Sequence, residues 1–233
     1  MTARYVTNWI RAGLLTLPVY GLLTAWATIE PQPDQTADPG AWARFVSSDS
    51  YLVSHLIGST GGTILAIFGT FALGAYLATS RAGRLALAAM VVTIAGHALL
   101  LVPAVMSTFA TPAIGGAYLA GETGVMRIEF PAAMTVCFLT GLLLAVVGNL
   151  LLGMAIWRSK TLPRWAGALW LAATVVFYLL GVVLGQATTG ASLPTQPVGA
   201  LLFAIAGGWI AWIAFRSPAA EETDPTARSR GRV

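Results

Sequence analysis

The sequence predicts an all-α membrane protein: six transmembrane helices arranged as three hairpins, with both termini cytoplasmic. Three observations predict it. Hydrophobic residues make up 57% of the 233-residue chain and charged residues only 9%, against about 25% charged in an ordinary soluble domain. Mean hydropathy is +0.76. The apolar residues fall into six runs near or above the roughly 20 residues that a spanning helix needs, and the basic residues sit in the gaps between them. A soluble globular domain, a disordered chain, a coiled coil and a disulfide scaffold are excluded on composition. A membrane barrel would need short alternating segments, whereas these runs are continuous and rich in Leu, Ala and Gly.

The first span covers residues about 10–29, with Arg4 before it and Arg11 at its very start. With Ala25-Trp26-Ala27 it fits a loose signal-peptide pattern, but the run is long enough to stay as an anchor. The second span covers 51–78 and the third 84–109, joined by a short turn holding Arg81 and Arg84. The fourth covers 131–157, the fifth 164–185 and the sixth 198–215. The connections near 30–50 and 110–130 are longer. Pro31, Pro33, Pro39 and Gly40 break up the first; Pro112, Gly115 and Gly116 break up the second. Trp42 and Phe45 either start an interfacial helix or belong to a partly ordered loop. The membrane domain ends near residue 216, and the polar tail 217–233, with Pro218 and Pro225, reads as disordered.

Orientation follows from Lys and Arg. Arg4, Arg11, Arg81, Arg84, Arg158, Lys160, Arg164, Arg216, Arg228, Arg230 and Arg232 fall on one side, which is therefore cytoplasmic; Arg44 and Arg127 fall on the other. Glu30, Asp34, Asp38, Asp49, Glu122 and Glu129 lie on the outer side. The net charge of +4 is thus a topology signal. It is not the single basic patch of a nucleic-acid binder, and no nucleic-acid partner is expected. Cys137 is the one cysteine, with no partner for a disulfide or a thiolate metal site.

Spans two and four align at one offset. Gly62, Leu65, Ala66, Gly69, Leu73, Gly74 and Ser80 match Gly141, Leu144, Ala145, Gly148, Leu152, Gly153 and Ser159. Span six offers a weaker third copy in Gly199, Leu202, Ala206, Ala211 and Ser217. The odd spans share a cue: Arg11-Ala12-Gly13, Arg81-Ala82-Gly83 and Arg164-Trp165-Ala166-Gly167. These matches predict three repeated hairpins, and the small residues are expected to be packing seams, because helices in lipid associate through close backbone approach. Shared Gly/Ala/Leu composition alone is the competing account.

The segment Arg158-Ser159-Lys160-Thr161-Leu162-Pro163-Arg164-Trp165-Ala166-Gly167 resembles the Arg-Ser-x-x-Leu-Pro-Arg-Trp-Ala-Gly hairpin of a group of uncharacterised six-helix bacterial membrane proteins. The resemblance is strong over this hairpin and weak elsewhere. It implies a compact six-helix bundle in a bacterial inner membrane and brings no activity or catalytic residues. The segment also makes sense alone: Pro163 opens a helix where a missing N–H costs nothing, and Arg164 and Trp165 suit the headgroup level.

Ionisable residues inside a membrane are costly and are functional candidates. His97 lies about halfway along span three, with Tyr20 and Tyr178 at similar depth and Thr63 and Thr140 near mid-depth. Together they can line a polar, ligand-binding cavity; otherwise His97 is neutral interhelical glue. His55, near the outer end of span two, and Glu129 make a second candidate acid/base pair, or else part of a solvated rim. Asn149 is expected to bond a neighbouring helix. His55 and His97 are also conceivable haem b ligands, although their depths differ; no cofactor is expected. The spans carry no Asp, Lys or Arg near their middles, which counts against an ion-coupled pump. The expected function is binding or moving a small lipophilic molecule, or service as an accessory to other membrane subunits. The alternatives are an enzyme acting on a lipid-like substrate through His55 with Glu129 or His97 with Tyr178, and a bis-His haem protein.

Overall fold

Six apolar helices cross the molecule among residues 3–189 and 192–216, the part that the computed structural model describes; the tail 217–233 lies outside it. They are Val6–Thr28, Asp49–Leu77, Gly83–Leu119, Ala132–Ser159, Arg164–Thr188 and Thr195–Arg216. Each is long and apolar enough to span a bilayer, and the described chain contains no strand. The protein is a multi-pass membrane helix bundle. An even number of spans puts both described ends on one side, which we call the inner side.

Span one breaks at Leu15 into Ala3–Leu14 and Thr16–Thr28. The cause is Pro18, which has no N–H for the carbonyl one turn back. Beside the break the Thr16 hydroxyl lies 2.8 Å from the Gly13 carbonyl oxygen and 3.0 Å from that of Leu65, sharing its one proton between spans one and two. Span three departs furthest from expectation. It continues through Pro103 and Pro112 to Leu119, about 55 Å at 1.5 Å per residue, against a hydrocarbon core of about 30 Å. The expected loop over 110–119 is therefore helix. Its support is a short helix, Pro39–Val46, capped by Asp38, whose carboxylate accepts from the Ala41 N–H at 2.8 Å. Trp42, Ala43 and Val46 are buried in a small outer core with Tyr51, joined by Ile114 and Tyr118 of span three. Trp42 packs on protein, so this helix does not lie on the membrane by its aromatic face.

The spans form a ring in chain order, each packing on the next, with span six closing on span one. Small residues set the seams. A methyl added to Gly21 would strike the backbone of Ala204. At Gly96 it would strike Ala145, at Gly148 Thr93, and at Gly167 Trp157. The repeat is visible here. Gly62, Gly141 and Gly199 all face the preceding span, meeting Thr24, Leu99 and Phe177 respectively, while Gly74 and Gly153 face the following one at Met90 and Leu171. The inner turns match too. The Ser80 hydroxyl accepts from Ala82 N–H at 3.2 Å, and that of Ser159 from Thr161 N–H at 3.3 Å.

One seam is incomplete. Span four packs along residues 164–174 of span five, barely meets 175–183 and does not meet 184–189. In the closed part of the seam, on the inner side, the Trp170 indole N–H donates to Asn149 Oδ1 at 3.1 Å, and Asn149 Nδ2 donates to the Ala145 carbonyl at 2.9 Å. Asn149 thus bonds the neighbouring helix, as expected.

Candidate functional site

Alternate spans bring three polar aromatic side chains to the bundle interior. His97 from span three, Tyr178 from span five and Tyr20 from span one are 4%, 2% and 7% exposed, so their hydrogen bonds decide whether burial is tolerable. The His97 ring is oriented by its own helix. Its Nδ1 lies 2.9 Å from the Thr93 carbonyl, and a carbonyl can only accept, so Nδ1 carries the proton. In the neutral ring Nε2 is then a bare acceptor, and it receives the Tyr178 hydroxyl at 3.2 Å. The Tyr20 hydroxyl approaches that of Tyr178, and the Tyr20 ring meets His97 edge-on at 6.2 Å. Phe203 closes the cluster from span six, 6.2 Å from Tyr20 and 6.4 Å from Tyr178 between ring centroids.

This cluster is the floor of a cavity of about 320 Å³. Its walls are apolar at Leu100, Phe138, Leu142, Phe177 and Val182, with Thr24, Thr63 and Ser107 adding hydroxyls. Toward the outer side it reaches Gln32, His55, Gln186, Ser192 and Gln196, which also line a second hollow of about 320 Å³ at the outer surface. The two hollows therefore share a wall. No Asp, Glu, Lys or Arg lines the deeper one among the described residues. Its size is at the lower end of small-molecule sites, about 300–1,000 Å³.

Two helices change character beside this cavity. His55–Gly61 of span two and Val175–Val183 of span five are wound as π-helix. The first contributes His55, Gly58 and Ser59 to the lining and the second Phe177, Tyr178 and Val182. A π-turn inserts an extra residue and rotates the rest of the helix, at a cost to the hydrogen-bond ladder, and such turns gather at functional sites.

The sequence candidates divide cleanly. Tyr20, Thr63, His97, Tyr178 and His55 line one cavity. Thr140 does not: it is exposed on span four. The reason is rotational, since its neighbour Gly141 faces span three and one residue turns a helix by about 100°. Glu129 is exposed in the outer connection and lines neither hollow. His55 instead donates from Nδ1 to the Tyr51 carbonyl at 3.0 Å and stacks on the Tyr51 ring at 3.7 Å. The His55/Glu129 pair is thus not assembled, whereas the His97/Tyr178 pair is. For haem, His97 has both ring nitrogens engaged, so an iron would have to displace Tyr178.

Sequence reading missed Gln32, Gln186, Gln196, Ser107 and Phe203. None of them is ionisable, and uncharged amides near span ends do not stand out in a sequence. Gln186 beside Gln196 across one connection was the available hint. No family model, curated protein or solved structure matches the chain.

Proposed function

We propose that this protein sits in the cytoplasmic membrane of a bacterium, termini inside, and binds a small uncharged lipophilic molecule in the cavity above His97, Tyr178 and Tyr20. The observation that carries this reading is the lining: apolar side chains interspersed with neutral hydrogen-bonding groups, and no Asp, Glu, Lys or Arg among the described residues. An anionic head lodged there would lose hydration with no cation to replace it, at a cost of several kcal/mol. A hydroxyl head can donate to a tyrosine oxygen, and a carbonyl head can accept the Tyr20 proton, because Tyr178 gives its own to His97. The proposed inner side carries the aromatic and basic belt usual at a headgroup boundary: Arg164 lies over Trp165 at 5.4 Å and Arg216 over Trp212 at 3.9 Å.

The test is mass spectrometry of lipophiles retained by the purified protein and by Tyr178→Phe and His97→Leu variants, with melting as the check on folding. The expected result is an uncharged lipophile retained by the parent and depleted in both variants. A stable parent that purifies empty refutes the reading. A second reading, an enzyme using the His97/Tyr178 pair on such a molecule, rests on their direct hydrogen bond. It requires the retained molecule to be chemically altered by the parent and not by Tyr178→Phe.

A further inference from the structure

A ring of six helices built to seal a ligand off would pack along every seam. Here the seam between spans four and five is made only on the inner side. Toward the outer side, both edges carry exposed apolar side chains: Val136 is 62% and Leu139 57% exposed on span four, and Leu180 and Val183 are each 41% exposed on span five. Just inside those edges, Phe138 and Leu142 on one side and Val182 on the other are cavity walls. The cavity therefore has a polar outer mouth with three glutamines and, along this parted seam, an apolar slot where no helix backbones pack closely and side chains form the wall.

We propose that the ligand reaches the cavity sideways through this slot, and that it is an uncharged membrane lipid whose hydrogen-bonding head rests at Tyr20 and Tyr178 while its apolar tail lies between spans four and five. The inference rests on the proposed binding function and adds the route and the tail. The polar mouth suits water leaving as the head arrives. A long apolar tail drawn through the mouth would pass Gln32, Gln186 and Gln196, whereas the slot offers it no unsatisfied polar group. The tail is also the occupant that continuity selects, because the slot and the cavity share one wall.

Two measurements on the full chain in lipid nanodiscs test this. In the first, a decyl-substituted benzoquinone with a diazirine at the tail end is photolysed on the unmodified protein and the adducts are mapped. Adducts within 132–143 and 179–186 support the slot. Adducts on 30–33 or 192–196 overturn it, and so does crosslinking of those slot residues to a second copy of the chain, which would mean that protein covers the gap. In the second, Leu139→Trp, at an edge residue outside the cavity lining, narrows the slot. Affinity for the decyl quinone should fall about tenfold or more, while that for tail-less benzoquinone changes by less than about twofold. Equal losses for both probes overturn the route and leave the binding function standing. Failure of both probes to bind the unmodified protein overturns the binding function and the route together.

Discussion

The three equivalent glycines of the repeat offer a graded test of how this bundle is held together. Gly62, Gly141 and Gly199 occupy matching positions on spans two, four and six, yet their surroundings differ. A methyl at Gly62 would lie 3.1 Å from Thr24 Oγ1 and 3.8 Å from Tyr20 Cδ2. At Gly141 it would lie 3.0 Å from Leu99 Cβ and 3.1 Å from both the Gly96 carbonyl oxygen and Leu100 Cγ. At Gly199 it would collide with the backbone nitrogen of Phe177 and come within 2.5 Å of its Cα. Replacing a mid-helix glycine by alanine gains about 1 kcal/mol of backbone propensity. Against this, overpacking costs about 1–3 kcal/mol where the neighbours cannot yield.

At Gly62 a single hydroxyl must move by a few tenths of an ångström, so Gly62→Ala should be neutral or stabilise by up to about 1 kcal/mol. Gly141→Ala has three contacts to relax and should cost up to about 1 kcal/mol. Gly199→Ala must displace backbone and should cost about 1–2 kcal/mol net. Thermal unfolding in one detergent, followed by tryptophan fluorescence, resolves this, since 1 kcal/mol moves Tm by about 2–4 °C in a chain of this size. Gly199→Ala should also loosen ligand retention, because Phe177 adjoins Tyr178 in the cavity wall. Equal losses at all three positions, or the largest at Gly62, would refute the claim that local backbone approach sets the seam energies.

Other perturbations probe separate parts. Asn149→Leu strands the buried Trp170 N–H and should cost about 1 kcal/mol; adding Trp170→Phe should recover part of it, and strictly additive losses in melting would argue against the pair. Thr63→Val should weaken retention of the cavity ligand while Thr140→Val leaves it unchanged, and an effect at Thr140 would contradict its outward placement. Asp38→Ala removes the cap of the Pro39–Val46 helix, at about 1 kcal/mol; amide exchange at Ala41 should quicken while the spans stay protected. The N–H groups of Ala37 and Thr36 hold the Asp34 carboxyl below its ordinary value of 3.8. A depressed folded pKa contributes stability above the ordinary carboxylate range and loses it as pH falls through the folded value. Protection of Thr36 and Ala37 should therefore persist through mildly acid pH and fail only below it, and a titration midpoint at or above the ordinary value would be inconsistent.

Much of the bundle was legible because lipid leaves few options. Backbone groups must pair within each segment, so apolar run length alone located six helices, and glycine spacing located the seams. Depth counting also brought Tyr20, His97 and Tyr178 together correctly, since helix rise is constant. What failed was whatever depends on rotation or on tertiary support. Thr140 sits at the right depth but on the wrong face. Pro112, Gly115 and Gly116 look like a loop, yet Gly115 is the smooth patch against which Val46 and Ser47 dock, and that docking holds the helix through the proline. The π-turns had no local signal: His55–Gly61 and Val175–Val183 are composed like ordinary helix.

The repeat and the cavity are best understood as complements. The repeated residues lie on spans two, four and six, and they determine how closely helices approach. Beyond the Arg/Ala/Gly cue at their inner ends, spans one, three and five do not repeat, and their Tyr20, His97 and Tyr178 meet inside. Three similar hairpins can therefore close a ring while each leaves one helix free to diverge. The Tyr178–His97 hydrogen bond would tie spans three and five in any bundle, but packing alone gains nothing by interrupting the α-helical ladder of two helices beside it. Each such interruption costs stability. Their convergence on one cavity, in a chain otherwise consistent from sequence to packing, is where local rules are expected to give way to function.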